Sequence, residues 1–303
     1  MSISRTLFLD MKDWVIFSDS TSFLKHCDQS NLLTNNIMNA DSLAKNSIVF
    51  SFSDSAAKKT FELAKLTAKK RCIFCPLHVF EASISNASYS LECLLKSDIA
   101  QALADQRKAL ELINCKIPLS LFGPMTKATI KTTNNAIPYA ILEEDLQGDF
   151  VHSVAEFFEV HFAHMNTQEP CPFSVEGEFR VSGVLAVLRK AESATPLIKN
   201  SLNVLIGEVA SKQALLKVNA NTITSFKVGD IEYLDLVRRA AGPRGVNLTE
   251  FAIGVNRSIS PLIDFSINSQ MNEGISGVHV AVGDGTTGYH IDFLCPDVVA
   301  QPS

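Results

Sequence analysis

No stretch of the 303-residue chain comes near the roughly 18 uninterrupted apolar residues that a bilayer-spanning helix needs. The opening MSISRTLFLDMKDW has neither a long apolar core nor a small-residue cleavage site. A cytoplasmic protein without membrane contact is therefore expected. Basic residues are not in excess either: 27 Lys and Arg stand against 32 Asp and Glu, a formal net charge of −5. Neutralising phosphates requires clustered Lys and Arg, so nucleic acid is excluded as a partner. The short runs Lys58-Lys59 and Lys69-Lys70-Arg71 fit a solvated helix face. Glycine and proline are sparse (14 and 11), while 46% of residues are hydrophobic, which excludes a disordered or low-complexity chain and supplies a sizeable core. Seven cysteines, an odd number in a long chain, read as reduced thiols and not as a disulfide framework. The chain has no GxGxxG, no Walker loop, no GxSxG and no HExxH, so nucleotide binding, a serine-hydrolase elbow and a helical zinc-peptidase motif lack support.

What is present divides into two textures. In the first half, SIVFSF (47–52), CIFCPLHVF (72–80) and IPLSLF (117–122) read as strands, separated by helical patterns at 55–70 and 91–113. Alternation of this kind implies an α/β domain with parallel pairing. VHSVAEFFEVHFAHM (151–165) has the spacing of an amphipathic helix, and NTQEPCP (166–172) breaks it. Beyond 173 the pattern becomes strand-rich, through VEGEFRVSGVLAVL, LNVLIGEVA, ALLKVNANTITSFKV and GVHVAVG, with one helix at 231–242. The expected architecture is an α/β domain with a helical end over residues 1–168, followed by a β-rich (α+β) domain over 169–303.

The second domain carries the candidate chemistry. Glu178 lies in V-E-G-E-F, Glu250 in T-E-F-A-I-G and His279 in G-V-H-V-A-V-G. His290 and Asp292, in Y-H-I-D-F, are two apart on a strand and share a face. Burying such groups in apolar strands costs several kcal/mol, on the order that a shared divalent cation would offset. Each residue alone is more simply a locally paired core group; the ordered set is what stands out.

The elements EGEF (176–179), TEFAIGVN (249–256), GVHVAVG (277–283) and HIDF (290–293) resemble the C-terminal region of the aminopeptidase T family of metallopeptidases. That resemblance implies a metallopeptidase-like fold for this half and carries over five metal ligands, Glu178, Glu250, His279, His290 and Asp292. It implies one or two divalent ions, zinc foremost, with cobalt or manganese also suited to mixed oxygen and nitrogen donors. Three carboxylates would balance two divalent ions with one bridging hydroxide, and such a centre can polarise a peptide carbonyl. The chain departs from the family in three respects. The family's tyrosine seven residues after the first histidine is Thr286 here, with Tyr289 close by as a substrate-binding candidate; the His279–His290 segment is short; and the family's N-terminal domain has no match. Preserved ligands with a replaced first half resemble the peptidase-related proteins of crocagin-type ribosomal peptide biosynthesis. That resemblance implies a protein that binds a precursor peptide, and helps present it to peptide-modifying enzymes. The competing implication is an active metallo-aminopeptidase, and the aminopeptidases' pairing implies a homodimer.

Two further constellations are present. Cys72-x-x-Cys75-x-x-His78 lacks a second ligand pair, which favours a buried strand over a zinc site. His161-x-x-His164, with His152, Glu156 and Glu159 nearby, reads as a polar helix face that could border the site.

Overall fold

The computed structural model describes residues 13–303. The chain begins with β1 (Val15–Ser18), α1 (Thr21–Gln29), β2 (Leu33–Asn36) and β3 (Asn46–Phe50). Ser53 then caps α2 (Asp54–Leu66) by accepting from the Ala56 N–H, and Ala56, Thr60, Leu63 and Ala64 form its buried face. β4 (Arg71–Cys75) follows. The single helix expected over 91–113 is two, α3 (Ile84–Lys96) and α4 (Ile99–Asn114). The break falls at Ser97-Asp98: Ser97 Oγ donates back to the Cys93 carbonyl, and Asp98 caps α4 by accepting from the Gln101 N–H.

The IPLSLF run does form a strand, β5 (Leu119–Gly123), but not in the parallel sheet. It turns into a hairpin with β6 (Thr126–Thr132) and joins a different sheet. The chain returns as β7 (Phe150–Ser153), which completes a wholly parallel sheet in the order β2-β1-β3-β4-β7. The helix expected over 151–165 is absent. After β7 comes one 3-10 turn (Ala155–Phe157) and then β8 (Glu159–Ala163). Val160 and Phe162 are buried on one face of β8, while Glu159, His161 and Ala163 point to the other. The period that counts there is two, imposed by pairing with a later strand.

The second half continues with β9 (Phe173–Val181) and β10 (Gly183–Val187). LNVLIGEVA, expected as a strand, lies inside α5 (Pro196–Ser211). Thr195 caps that helix, Pro196 starts it, and Leu202, Leu205, Ile206 and Val209 give it a buried stripe at helical spacing. There follow β11 (Ala214–Asn219), β12 (Thr222–Val228), β13 (Ile231–Glu232), α6 (Leu234–Ala240), β14 (Leu248–Gly254), β15 (Gly277–Val282), β16 (His290–Pro296) and β17 (Val299–Pro302). They build a seven-stranded sheet, β13-β12-β11-β9-β6-β5-β17, and a five-stranded antiparallel sheet, β10-β16-β15-β14-β8.

Strand pairing runs across the boundary expected at 165–172: β6 pairs with β9, and β8 with β14. One continuous core accordingly extends from Trp14 and Ile16 to Cys295 and Val298, and a smaller one fills the other face of the parallel sheet around Phe17, Val49, Leu63 and Phe74. Among the described residues, no helix is long and apolar enough to cross a membrane.

Candidate metal centre

Register in the antiparallel sheet assembles the site. Ala252 of β14 lies opposite His279 of β15 and His161 of β8; Glu250 lies opposite Ala281 and Ala163; Asp292 of β16 lies opposite Ala281. Alternation along each strand then puts Glu159, His161, Glu250, His279, His290 and Asp292 on one face. The residues between them on that face are small (Ala163, Ala252, Gly254 and Ala281), which leaves room for the long side chains to converge.

The distances are short. His290 Nε2 is 3.1 Å from Asp292 Oδ1 and 3.5 Å from Glu250 Oε2. His279 Nε2 is 3.5 Å from Glu250 Oε1 and 3.6 Å from Glu159 Oε2, and His161 Nδ1 is 3.3 Å from Glu159 Oε1. Glu159, His279 and Asp292 are buried, yet Glu159 Oε2, His161 Nδ1, His279 Nε2 and Asp292 Oδ2 have no hydrogen-bond partner among the described residues. The ring of His290 is oriented from behind, its Nδ1 3.2 Å from the Gly283 carbonyl. A carbonyl only accepts, so Nδ1 is the protonated nitrogen and Nε2 faces the carboxylates, as in a metal-binding histidine.

Charge is concentrated to match. Burial disfavours ionisation of Glu250, but the imidazoles of His279, His161 and His290 outweigh it and bring its carboxyl down to about 2. Burial also opposes the imidazolium of His290, yet Asp292 and Glu250 push it up to about 10; for His161 the carboxylate of Glu159 does the same, to about 9. Glu273 goes the other way: burial, then the neighbouring charges of Asp292, Glu159 and Glu250, hold its carboxyl well above the ordinary value. Protons on the imidazoles thus balance the carboxylates, and a divalent cation would satisfy the same bare atoms in place of those protons. Two groups of donors have ligand atoms within 4.8 Å of one another: Glu159, Glu250 and His279, and Glu250, His290 and Asp292. Glu250 belongs to both. The donor set fits a cation site with oxygen and nitrogen ligands.

Four of the five residues singled out from sequence meet here. Glu178 does not. It projects from β9 in the seven-stranded sheet, is half exposed, and its Oε1 lies 2.7 Å from Lys217 Nζ of the neighbouring β11. Glu176 lies on the same solvent-facing side of that strand. The acid in the cluster is instead Glu159, concealed by the helical reading of 151–165; the alternation E-V-H-F-A was the signal for it. Tyr289 is buried, its N–H donating to the Ala240 carbonyl, and it does not border the cleft below the cluster. Thr286 is tied into the hairpin turn, its N–H donating to Asp284 Oδ1. His161 does border the site, whereas His164 lies beyond the end of β8. Cys72 and Cys75 face opposite sides of the parallel sheet and enter separate cores, so no zinc site forms between them.

The cluster opens into a cleft of about 670 Å³. Glu159, His161, Glu250, His290 and Asp292 line it from the antiparallel sheet, Gln270 and Glu273 from the loop after β14, Phe74 and Ser153 from the carboxyl ends of β4 and β7, and Pro76, His78 and Glu156 from just beyond them. The carboxyl ends of parallel strands are where open α/β sheets bind ligands.

Fold and site together define an α/β protein that carries a buried carboxylate–imidazole cluster of metal-ligand type at the head of a ligand-sized cleft. Residues 11–303 match the family of crocagin biosynthetic protein CgnE/B, and the chain belongs to that family. Two solved structures are similar over nearly the whole chain. One is 2,5-dihydroxypyridine dioxygenase from Pseudomonas putida KT2440, with a TM-score of 0.50, 10% identity, and coverage of 98% of this chain and 91% of that one. The other is wild-type AmpT from Thermus thermophilus, with a TM-score of 0.49, 12% identity, and coverage of 100% and 93%. At such identities the likeness concerns the fold alone. No curated protein matches the sequence.

Proposed function

We propose that the protein is a metal-dependent peptide-binding component of crocagin-type ribosomal peptide biosynthesis, holding the precursor peptide in the cleft for other modifying enzymes. The observation that carries this reading is the set of bare, buried donor atoms at the head of the cleft. Glu159, Glu250 and His279 would hold one divalent ion, and Glu250, His290 and Asp292 a second, zinc being the first choice and cobalt or manganese the alternatives. A bound ion supplies a Lewis acid for a peptide carbonyl. His290 is held with Nε2 towards Glu250 and Asp292 by the Gly283 carbonyl, and the sheet beneath excludes water from His279 and Asp292.

A complete donor set also supports a second reading, a metallo-aminopeptidase. Against it stands the position of Tyr289, buried away from the cleft, and of Thr286, held in its turn. The two readings separate in one experiment. Purified protein of measured metal content is mixed with fluorescently labelled short peptides, with zinc, cobalt or manganese and with chelator. Metal-dependent binding without cleavage, lost in Glu250→Ala, is the expected result. Metal-dependent release of N-terminal residues would establish the peptidase instead. Peptide binding unchanged by chelator and by Glu250→Ala would refute both.

A further inference from the structure

The wall of the cleft that comes from the parallel sheet has no part in holding a cation. It consists of Asp54, Ala57 and Phe61 of α2, Phe74 at the end of β4, and Pro76 and His78 just beyond it. His78 is set in place from behind. Its Nδ1 lies 2.9 Å from Oγ of Ser51, a fully buried residue that directly follows β3, and its backbone N–H donates to the Ser51 carbonyl at 3.0 Å. One ring nitrogen is therefore engaged. The other, Nε2, lies 3.5 Å from Asp54 Oδ1 on the cleft side. Burial holds the imidazole below its ordinary value, against the opposing pull of Asp54, Ser51 and Asp19, so the ring is neutral near pH 7. Ser51, His78 and Asp54 resemble a nucleophile triad only by composition. Ser51 is wholly buried and its hydroxyl serves the ring, so no substrate can reach it.

Beside His78 the wall is apolar. Phe61 meets Phe74 edge-on, with ring centroids 5.2 Å apart, and remains 47% exposed, so that its ring is available to an occupant of the cleft. Asp54 at the same wall disfavours an acidic occupant.

We propose that this wall is a recognition subsite for the peptide, in which Nε2 of His78 hydrogen-bonds a backbone unit while Phe61 and Phe74 receive a bulky apolar side chain. A peptide unit offers a donor and an acceptor, so either tautomer of His78 finds a partner. Ser51 is a positioning residue: it restricts the ring without touching the ligand. The proposal rests on the reading that the cleft holds a peptide, and its test separates the two.

The probes are fluorescein-labelled hexapeptides in a Gly/Ser background, with Phe, Leu, Ala or Asp placed at each position in turn, titrated against zinc-loaded protein by anisotropy. Phe and Leu should bind most tightly at one position and Asp there most weakly. Phe61→Ala should abolish that preference. His78→Gln should weaken all peptides by about 3- to 10-fold, the range of one neutral hydrogen bond, while preserving the preference. Ser51→Ala should weaken binding less, and in ¹⁵N spectra of the imidazoles it should change the tautomer signature of His78, which a merely structural serine would not. Thermal melts establish that each variant is folded. Zinc-dependent peptide binding that Phe61→Ala and His78→Gln leave intact overturns the subsite and spares the peptide reading. Absence of binding by every peptide overturns both.

Discussion

At the scale of single residues, Glu159 and Glu178 make an instructive pair. Both are strand acids beside a buried apolar residue, Val160 next to Glu159 and Phe179 next to Glu178. Alternation states which side of its own strand a residue occupies; it says nothing of which sheet that strand joins. Glu178 lands opposite Lys217 on a solvated sheet, while Glu159 lands beside His279. Glu178→Gln should therefore cost less than about 1 kcal/mol, as an exposed ion pair does, and should leave the rise in Tm on adding zinc unchanged. Glu159→Gln should diminish that rise, because a ligand lost from the folded state weakens the linkage between metal and stability. Melts of both variants across a zinc series check this, and a full zinc response in Glu159→Gln would remove it from the donor set. His290 and Asp292 were legible in advance because one strand carries both, and their separation of two residues fixes their common face.

At the scale of elements, two segments depart from their expected form for the same reason. Over 151–165 and 202–210 the hydrophobic pattern fits both periods, and local sequence does not arbitrate between them. For 202–210 the deciding signal lay just outside the run, in Thr195 and Pro196 at the helix start. For 159–163 it lay about ninety residues away, in the β14 strand that supplies the pairing partner. The long segment between β14 and β15, which delivers Gln270 and Glu273 to the cleft, has little regular structure and is held by buried amides instead. Asn268 accepts from the Ala186 N–H at 3.0 Å and donates to the Ala186 carbonyl at 2.8 Å, while Asn86 donates to the Asn268 carbonyl and Tyr89 to Asn272. Asn268→Ala should cost about 2–4 kcal/mol, since it leaves both polar groups of Ala186 buried and unpaired. Urea denaturation measures it; a cost under about 1 kcal/mol would mean that water takes over both bonds.

At the scale of the whole molecule, segments far apart in the chain are joined by ion pairs as well as by strand pairing. Asp105 of α4, almost fully buried, pairs with Lys108 at 2.9 Å and with Arg257, beyond β14, at 2.8 Å. Burial disfavours its charge, but the hydrogen bonds from Lys108 and Gln101 and the charge of Arg257 prevail and hold the carboxyl below its ordinary value of 3.8. A depressed folded value means that its stabilisation is complete above the ordinary value and is lost as pH falls through the lower one. Stability measured by denaturant should thus decline below about pH 4, and Asp105→Asn should flatten part of that decline; an identical acid profile in the variant would show that the pair does not contribute. The sequence by itself determined what its short-range patterns can specify. Those are an α/β first half, a strand-rich second half and the common face of His290 and Asp292. Only the tertiary structure decided which acids join the buried cluster, that β6 and β8 pair across the expected boundary, and that His78 and Phe61 share a cleft with it. Those outcomes depend on pairing between segments far apart in the chain, and hydrophobic periodicity carries no information about partners.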